Sequence, residues 1–169
     1  SGYWDSVSAP NPVAWDVDPT SGTAADYTID VDISRLTAQG QAFATAALAA
    51  WTAMTGIEFN FTSLTTLSTD PNNSNYLAAG AGVSGFIFDD QDLGSAYAFW
   101  DTSGNHTTSL VLTSTIDYAG INIGSDWLNG DYNVSTGEIY LDSYSFQTYI
   151  HEIGHALGLG HAGNYNGSA

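Results

Sequence analysis

The stretch His151-Glu-Ile-Gly-His-Ala-Leu-Gly-Leu-Gly-His161 (HEIGHALGLGH) holds three of the chain's four histidines and governs how the rest is read. His151 and His155 stand four residues apart. On a helix that spacing is about 40° of rotation and one turn of rise, so both imidazoles can reach one ion. Asp142 or Ser143 can cap this predicted helix, and Phe146, Ile150, Ile153 and Leu157 form a stripe at other angles that would anchor it to a core. Gly158 can end the helix in a left-handed conformation, and the chain can then double back to present His161 as a third ligand. Three imidazoles leave a fourth position for water, as in a catalytic rather than a structural zinc site. Glu152 directly follows the first ligand, where a carboxylate can take a proton from zinc-bound water. A structural zinc site, an adventitious nickel-like site and a chance cluster are the alternatives. Structural sites normally fill four positions with protein groups that include cysteine, and the chain has none.

Outward from this stretch, the pattern predicts an α+β domain. Residues 1–25 carry three of the four prolines and read as an irregular N-terminal arm. Tyr27, Ile29, Val31 and Ile33 alternate on one face of a strand. Thr37 then caps a helix with Phe43, Ala47, Ala50, Trp51 and Met54 as its apolar stripe and Gly56 as its stop. Ile57 to Thr62 alternates again, which makes a βαβ unit. Ser68 to Gly85 reads as loop, followed by strands at Phe86 to Phe88, Ala96 to Trp100, Leu110 to Thr115, Ile121 to Trp127 and Glu138 to Leu141. His106, in a polar stretch, reads as a solvated loop residue and not a ligand. No internal repeat or linker divides the chain, so 1–169 reads as one domain.

The charge narrows the function classes. Eighteen acidic residues face a single base, Arg35, for a formal charge of −17. Nothing could neutralise phosphates, so neither nucleic acid nor an anionic membrane is an expected partner. No apolar run approaches the roughly 20 residues that span a bilayer. The start, SGYWDSVSAPNP, lacks a basic n-region and an apolar h-region. It reads as a mature end whose leader has been removed, or as a chosen starting point. Five Asn-x-Ser/Thr sequons (Asn60, Asn72, Asn105, Asn133, Asn166) are what so polar a chain produces by chance.

HEIGHALGLGH resembles the HExxHxxGxxH signature of the metzincin endopeptidases. Within that clan, HEIGHALGLGHAGNYNG is similar to the serralysin family of secreted bacterial proteases, whose usual continuation is HPGDYN. Here Ala162 replaces the proline and Asn164 the aspartate. Astacins usually carry Glu, and matrixins Ser, after the third histidine. Ser145-Phe-Gln-Thr-Tyr-Ile-His151 resembles the family's approach to its active helix. Gly94-Ser-Ala-Tyr-Ala-Phe-Trp100 resembles its edge strand, which runs above the zinc and pairs with substrate. The resemblance covers residues 26–167, and the stretch Leu110 to Leu141 is longer than usual for the family.

The resemblance implies a metzincin-type upper subdomain: a twisted mixed sheet with two long helices, the second bearing the metal motif. It further implies one catalytic zinc on His151, His155 and His161, with Glu152 as general base. A polypeptide substrate would lie along Ala96, Tyr97 and Ala98, whose open edge offers main-chain hydrogen bonds. An ordinary inner strand is the alternative for that segment. Calcium and a secreted, extracellular bacterial setting follow from the resemblance alone. The family's methionine turn has no counterpart, because the only methionine is Met54, and Tyr165 follows His161 too closely to serve as the tyrosine after that turn. The glycine-rich calcium repeats and the secretion signal are also missing. The chain therefore reads as a catalytic domain without the lower wall of its cleft. A truncated chain, an autolysed product and one chain of a two-chain protease would all look so. A second chain or C-terminal fragment, or self-association, would complete it. A zinc-binding domain that holds a peptide or partner without cleaving it is the competing function, and Glu152 speaks against it.

Overall fold

The computed structural model describes residues 13–15, 28–64, 85–101, 105–108, 111–116, 118–128, 131–133 and 135–160. In chain order the elements are β1 (Val13–Trp15), β2 (Thr28–Asp32), α1 (Ala38–Thr55), β3 (Glu58–Phe61), β4 (Gly85–Asp89), β5 (Ala96–Asp101), β6 (Asn105–Thr108), β7 (Val111–Ile116) and β8 (Tyr118–Ile123). A 3₁₀ turn (Ser125–Leu128), β9 (Tyr132–Asn133), β10 (Glu138–Ile139) and α2 (Tyr144–Ala156) follow. The fold is α+β, with a mixed sheet and two helices. The main sheet runs β3-β2-β4-β8-β5. Its first four strands are parallel, and β5 pairs antiparallel with β8 to form one edge. β1, β7 and β6 make a second sheet, β9 and β10 a third.

Local chemistry explains the first unit. Thr37 accepts a hydrogen bond from the Gly40 amide at 3.2 Å, the bond of an N-cap. Gly56 closes α1 with φ of 79°, and its amide donates to the Thr52 carbonyl. β2 and β3 lie parallel on either side of this helix in sequence, so the expected βαβ unit is present. Ile29 and Val31 are buried on one face of β2, while Asp32 is buried too, its carboxylate accepting from the Ser34 and Leu64 amides at 2.8 Å each.

The core lies between the main sheet and the two helices. Tyr149 of α2 is fully buried, its ring stacked on Phe43 of α1 at 5.8 Å and on Phe88 of β4 at 6.4 Å. Ile153 is also fully buried, whereas Phe146, Ile150 and Leu157 of the predicted stripe only flank the core. β4 and β8 are buried at every position, as strands covered on both faces are.

Several expectations are corrected. Met54, predicted as core, is 65% exposed, because the last turn of α1, residues 53–55, is exposed on all sides. The strand expected at Ile121 to Trp127 is β8, three residues earlier, and its far half is the 3₁₀ turn. With all six β8 residues buried, no alternation marks its start. His106 lies in β6 and not in a loop. The strands at Leu110 to Thr115 and Glu138 to Leu141 are Val111–Ile116 and the shorter Glu138–Ile139. Gly85 belongs to β4; residues 68–84 of the predicted loop lie outside the described residues. So does the irregular arm, apart from Val13–Trp15, which pairs parallel with β7.

Candidate active site

α2 starts at Ser143, whose hydroxyl accepts from the Phe146 amide at 3.2 Å. Asp131 fastens the same end, accepting from the Ser145 amide and hydroxyl at 3.1 and 2.7 Å. The far end closes in two bonds: the Gly158 amide donates to the His155 carbonyl at 2.8 Å, and the Leu159 amide to the Gly154 carbonyl at 2.9 Å. That is a Schellman cap, with Gly158 at φ of 91° as its left-handed residue. The glycine thus reverses the chain immediately after the second histidine.

The helix brings His151 and His155 together, their Nε2 atoms 2.9 Å apart. His155 is only 7% exposed, and its Nδ1 lies 2.7 Å from the Leu159 carbonyl oxygen. A carbonyl can only accept, so Nδ1 carries the proton and Nε2 of the neutral ring keeps a lone pair. This is the support that metal-binding imidazoles have. A tetrahedral zinc with nitrogens at about 2.0–2.1 Å would spread such a pair to roughly 3.3 Å, an opening of a few tenths of an ångström. Two convergent imidazoles with one tautomer already set therefore fit a zinc ion. Among the described residues no group of three or more metal-capable side chains forms, and His161, the expected third ligand, lies outside them.

Glu152 is 7% exposed. Burial pushes its carboxyl up from 4.5 to about 7, against the lowering effect of a hydrogen bond donated by the Ala98 backbone N–H. That bond joins the carboxyl to β5. It also fixes which main-chain groups of β5 face outward. The Gly124 amide donates to the Ser95 carbonyl at 2.9 Å, so Ser95 pairs inward with the sheet. By the alternation of an antiparallel ladder, Tyr97 and Phe99 also turn their backbone groups to β8. Ala96, Ala98 and Trp100 turn theirs to the open edge, in accord with the Ala98–Glu152 bond. Of the three residues expected along a substrate, Ala96 and Ala98 thus offer main-chain groups to the edge. Tyr97 pairs inward with its backbone and exposes 36% of itself.

Two contributions were not readable from the motif. The Leu159 carbonyl orients His155, and the only signal for it is Leu159's place one residue beyond the reversing glycine. Asn122 anchors the start of β5, its side-chain amide donating to the Asp92 and Ser95 carbonyls at 3.1 and 2.8 Å. Nothing near the motif marks that residue.

The family model for peptidase M66 matches residues 86–168. The match runs from β4 through α2 and takes in HEIGHALGLGH, so this part of the chain is similar to a metallopeptidase family. No curated protein and no solved structure matches the chain.

Proposed function

We propose that the chain is a zinc-dependent endopeptidase, serralysin-like among the metzincins, with Glu152 as its general base. The observation that carries this is the convergence of the His151 and His155 Nε2 atoms beside a buried carboxyl tied to a sheet-edge strand. The similarity of residues 86–168 to a peptidase family supports the reaction class.

In this proposal His151, His155 and His161 hold the ion. Bound zinc would supply Lewis-acid polarisation of water and of the scissile carbonyl. Glu152 handles the proton. Its carboxyl, buried directly after the first histidine, can accept a proton from the attacking water and return it to the leaving amine. Ala96, Ala98 and Trp100 lend their outward groups to an extended substrate, which is held by its main chain and not by its side chains. The Ala98 N–H is engaged by Glu152, so substrate meets the carbonyl at that position. Export from a bacterial cell and a calcium requirement belong to the same reading by resemblance.

The test pairs metal analysis with proteolysis. Wild type is expected to carry stoichiometric zinc and, in the assembly that completes its cleft, to cleave an unstructured protein in a chelator-sensitive way. His155→Ala loses the zinc. Glu152→Ala keeps it and loses about 10²–10⁴ in turnover. Zinc-loaded wild type that binds peptide and cleaves none would favour the non-catalytic reading instead.

A further inference from the structure

Trp51, half-buried on α1, reaches across to the metal-binding helix. Its indole N–H donates to the Ile150 carbonyl at 3.2 Å, directly before His151. Its ring occupies the space where Gly154 has no side chain: a Cβ there would stand 3.3 Å from Trp51 Cζ2 and 3.8 Å from Leu159 Cδ1. The indole and Leu159 Cδ1 therefore border the same notch in α2. Leu159 in turn closes the Schellman cap with its amide and holds His155 Nδ1 with its carbonyl.

We propose that Trp51 is a positioning residue for the metal-binding turn: seated in the Gly154 notch and bonded to the Ile150 carbonyl, it fixes the turn of α2 whose Gly154 carbonyl takes the Leu159 amide, and so the place from which the Leu159 carbonyl sets the tautomer and ring angle of His155. The inference rests on the reading of His151 and His155 as metal ligands. Leu159 is 44% exposed, and its amide bond to the Gly154 carbonyl ties its backbone to the residue that the indole packs against. The Ile150 carbonyl has a second lone pair, so the indole bond adds to the helix's own bonding without displacing it. Loss of such an outer partner of a metal ligand typically weakens metal binding 10–100-fold.

The experiment uses the full 169-residue chain, with zinc affinity from chelator competition and the His155 tautomer from imidazole ¹⁵N chemical shifts in metal-free protein. Trp51→Leu is expected to weaken zinc binding about 10–100-fold and to mix the two His155 tautomers. Trp51→Phe keeps a ring in the notch, loses the indole donor, and is expected to fall between. Leu48→Ala, in the same helix and 1% exposed, destabilises the core and is expected to leave both readouts at wild-type values. The Phe variant carries the test if the Leu variant does not fold. Wild-type zinc affinity and an unmixed tautomer in the Trp51 variants overturn the proposal, as does an equal effect of Leu48→Ala. Zinc retention by His155→Ala overturns the metal reading instead, and the tautomer measurement still decides what Trp51 does.

Discussion

Replacing Glu152 by Gln separates what this carboxyl does for chemistry from what it costs the fold. Its folded value of about 7 lies above the ordinary 4.5, so the folded chain holds the proton more tightly than the unfolded one. The native state is therefore favoured at low pH, and stability is lost as pH rises from about 4.5 to about 7. At 1.4 kcal/mol per tenfold change in affinity, full ionisation would cost about 3 kcal/mol; residual contact with water reduces the expected value to about 2 kcal/mol. Gln has nearly the same shape and no charge to bury. The metal-free Glu152→Gln chain should therefore gain on wild type by about 2 kcal/mol between pH 5 and pH 8. Urea unfolding of both chains at the two pH values reads this directly, and the difference between chains cancels the titrating groups that do not sense the Glu152 charge. With zinc added the advantage should shrink, because a nearby cation favours the carboxylate. An advantage that is equal at both pH values, or larger at pH 5, refutes the reasoning.

Three further outcomes follow from named contacts. Ala96→Pro, at the first position of β5 with its N–H outside the ladder with β8, should cost less in thermal unfolding than Tyr97→Pro, which should cost about 3 kcal/mol; the reverse order would show that the edge has the opposite parity. Gly158→Ala should lower stability by about 1 kcal/mol, because φ of 91° suits only glycine, and should weaken zinc binding by displacing the Leu159 carbonyl. Gly124→Ala should be among the more damaging changes in the sheet, since a Cβ there collides with the backbone carbonyls of Asp92 and Leu93; circular dichroism melts should show a loss of 2 kcal/mol or more.

The features the sequence determined alone are those closed within a few residues. Thr37 and Ser143 cap their helices, Gly56 and Gly158 end the turns with positive φ, and His151 meets His155 across one turn, because each depends on local dihedrals and bonds three to five residues apart. The parallel βαβ unit was legible for a related reason, since two alternating stretches with a helix between them leave few other arrangements. The tertiary structure decided what periodicity cannot carry. Met54 keeps helical phase with Phe43 and Ala47, yet residues 53–55 at the end of α1 are all exposed and Met54 with them. β8 is covered on both faces and its sequence shows no alternation to mark where it begins. The rise of the Glu152 carboxyl to about 7 comes from burial, opposed by an amide on β5 far away in the chain. The Trp51 ring comes to Gly154, beside Leu159 Cδ1, only once α1 lies against α2. A motif names the groups that can do chemistry; their orientation and proton affinity depend on water exclusion and distant backbone partners, and those exist only in the folded chain.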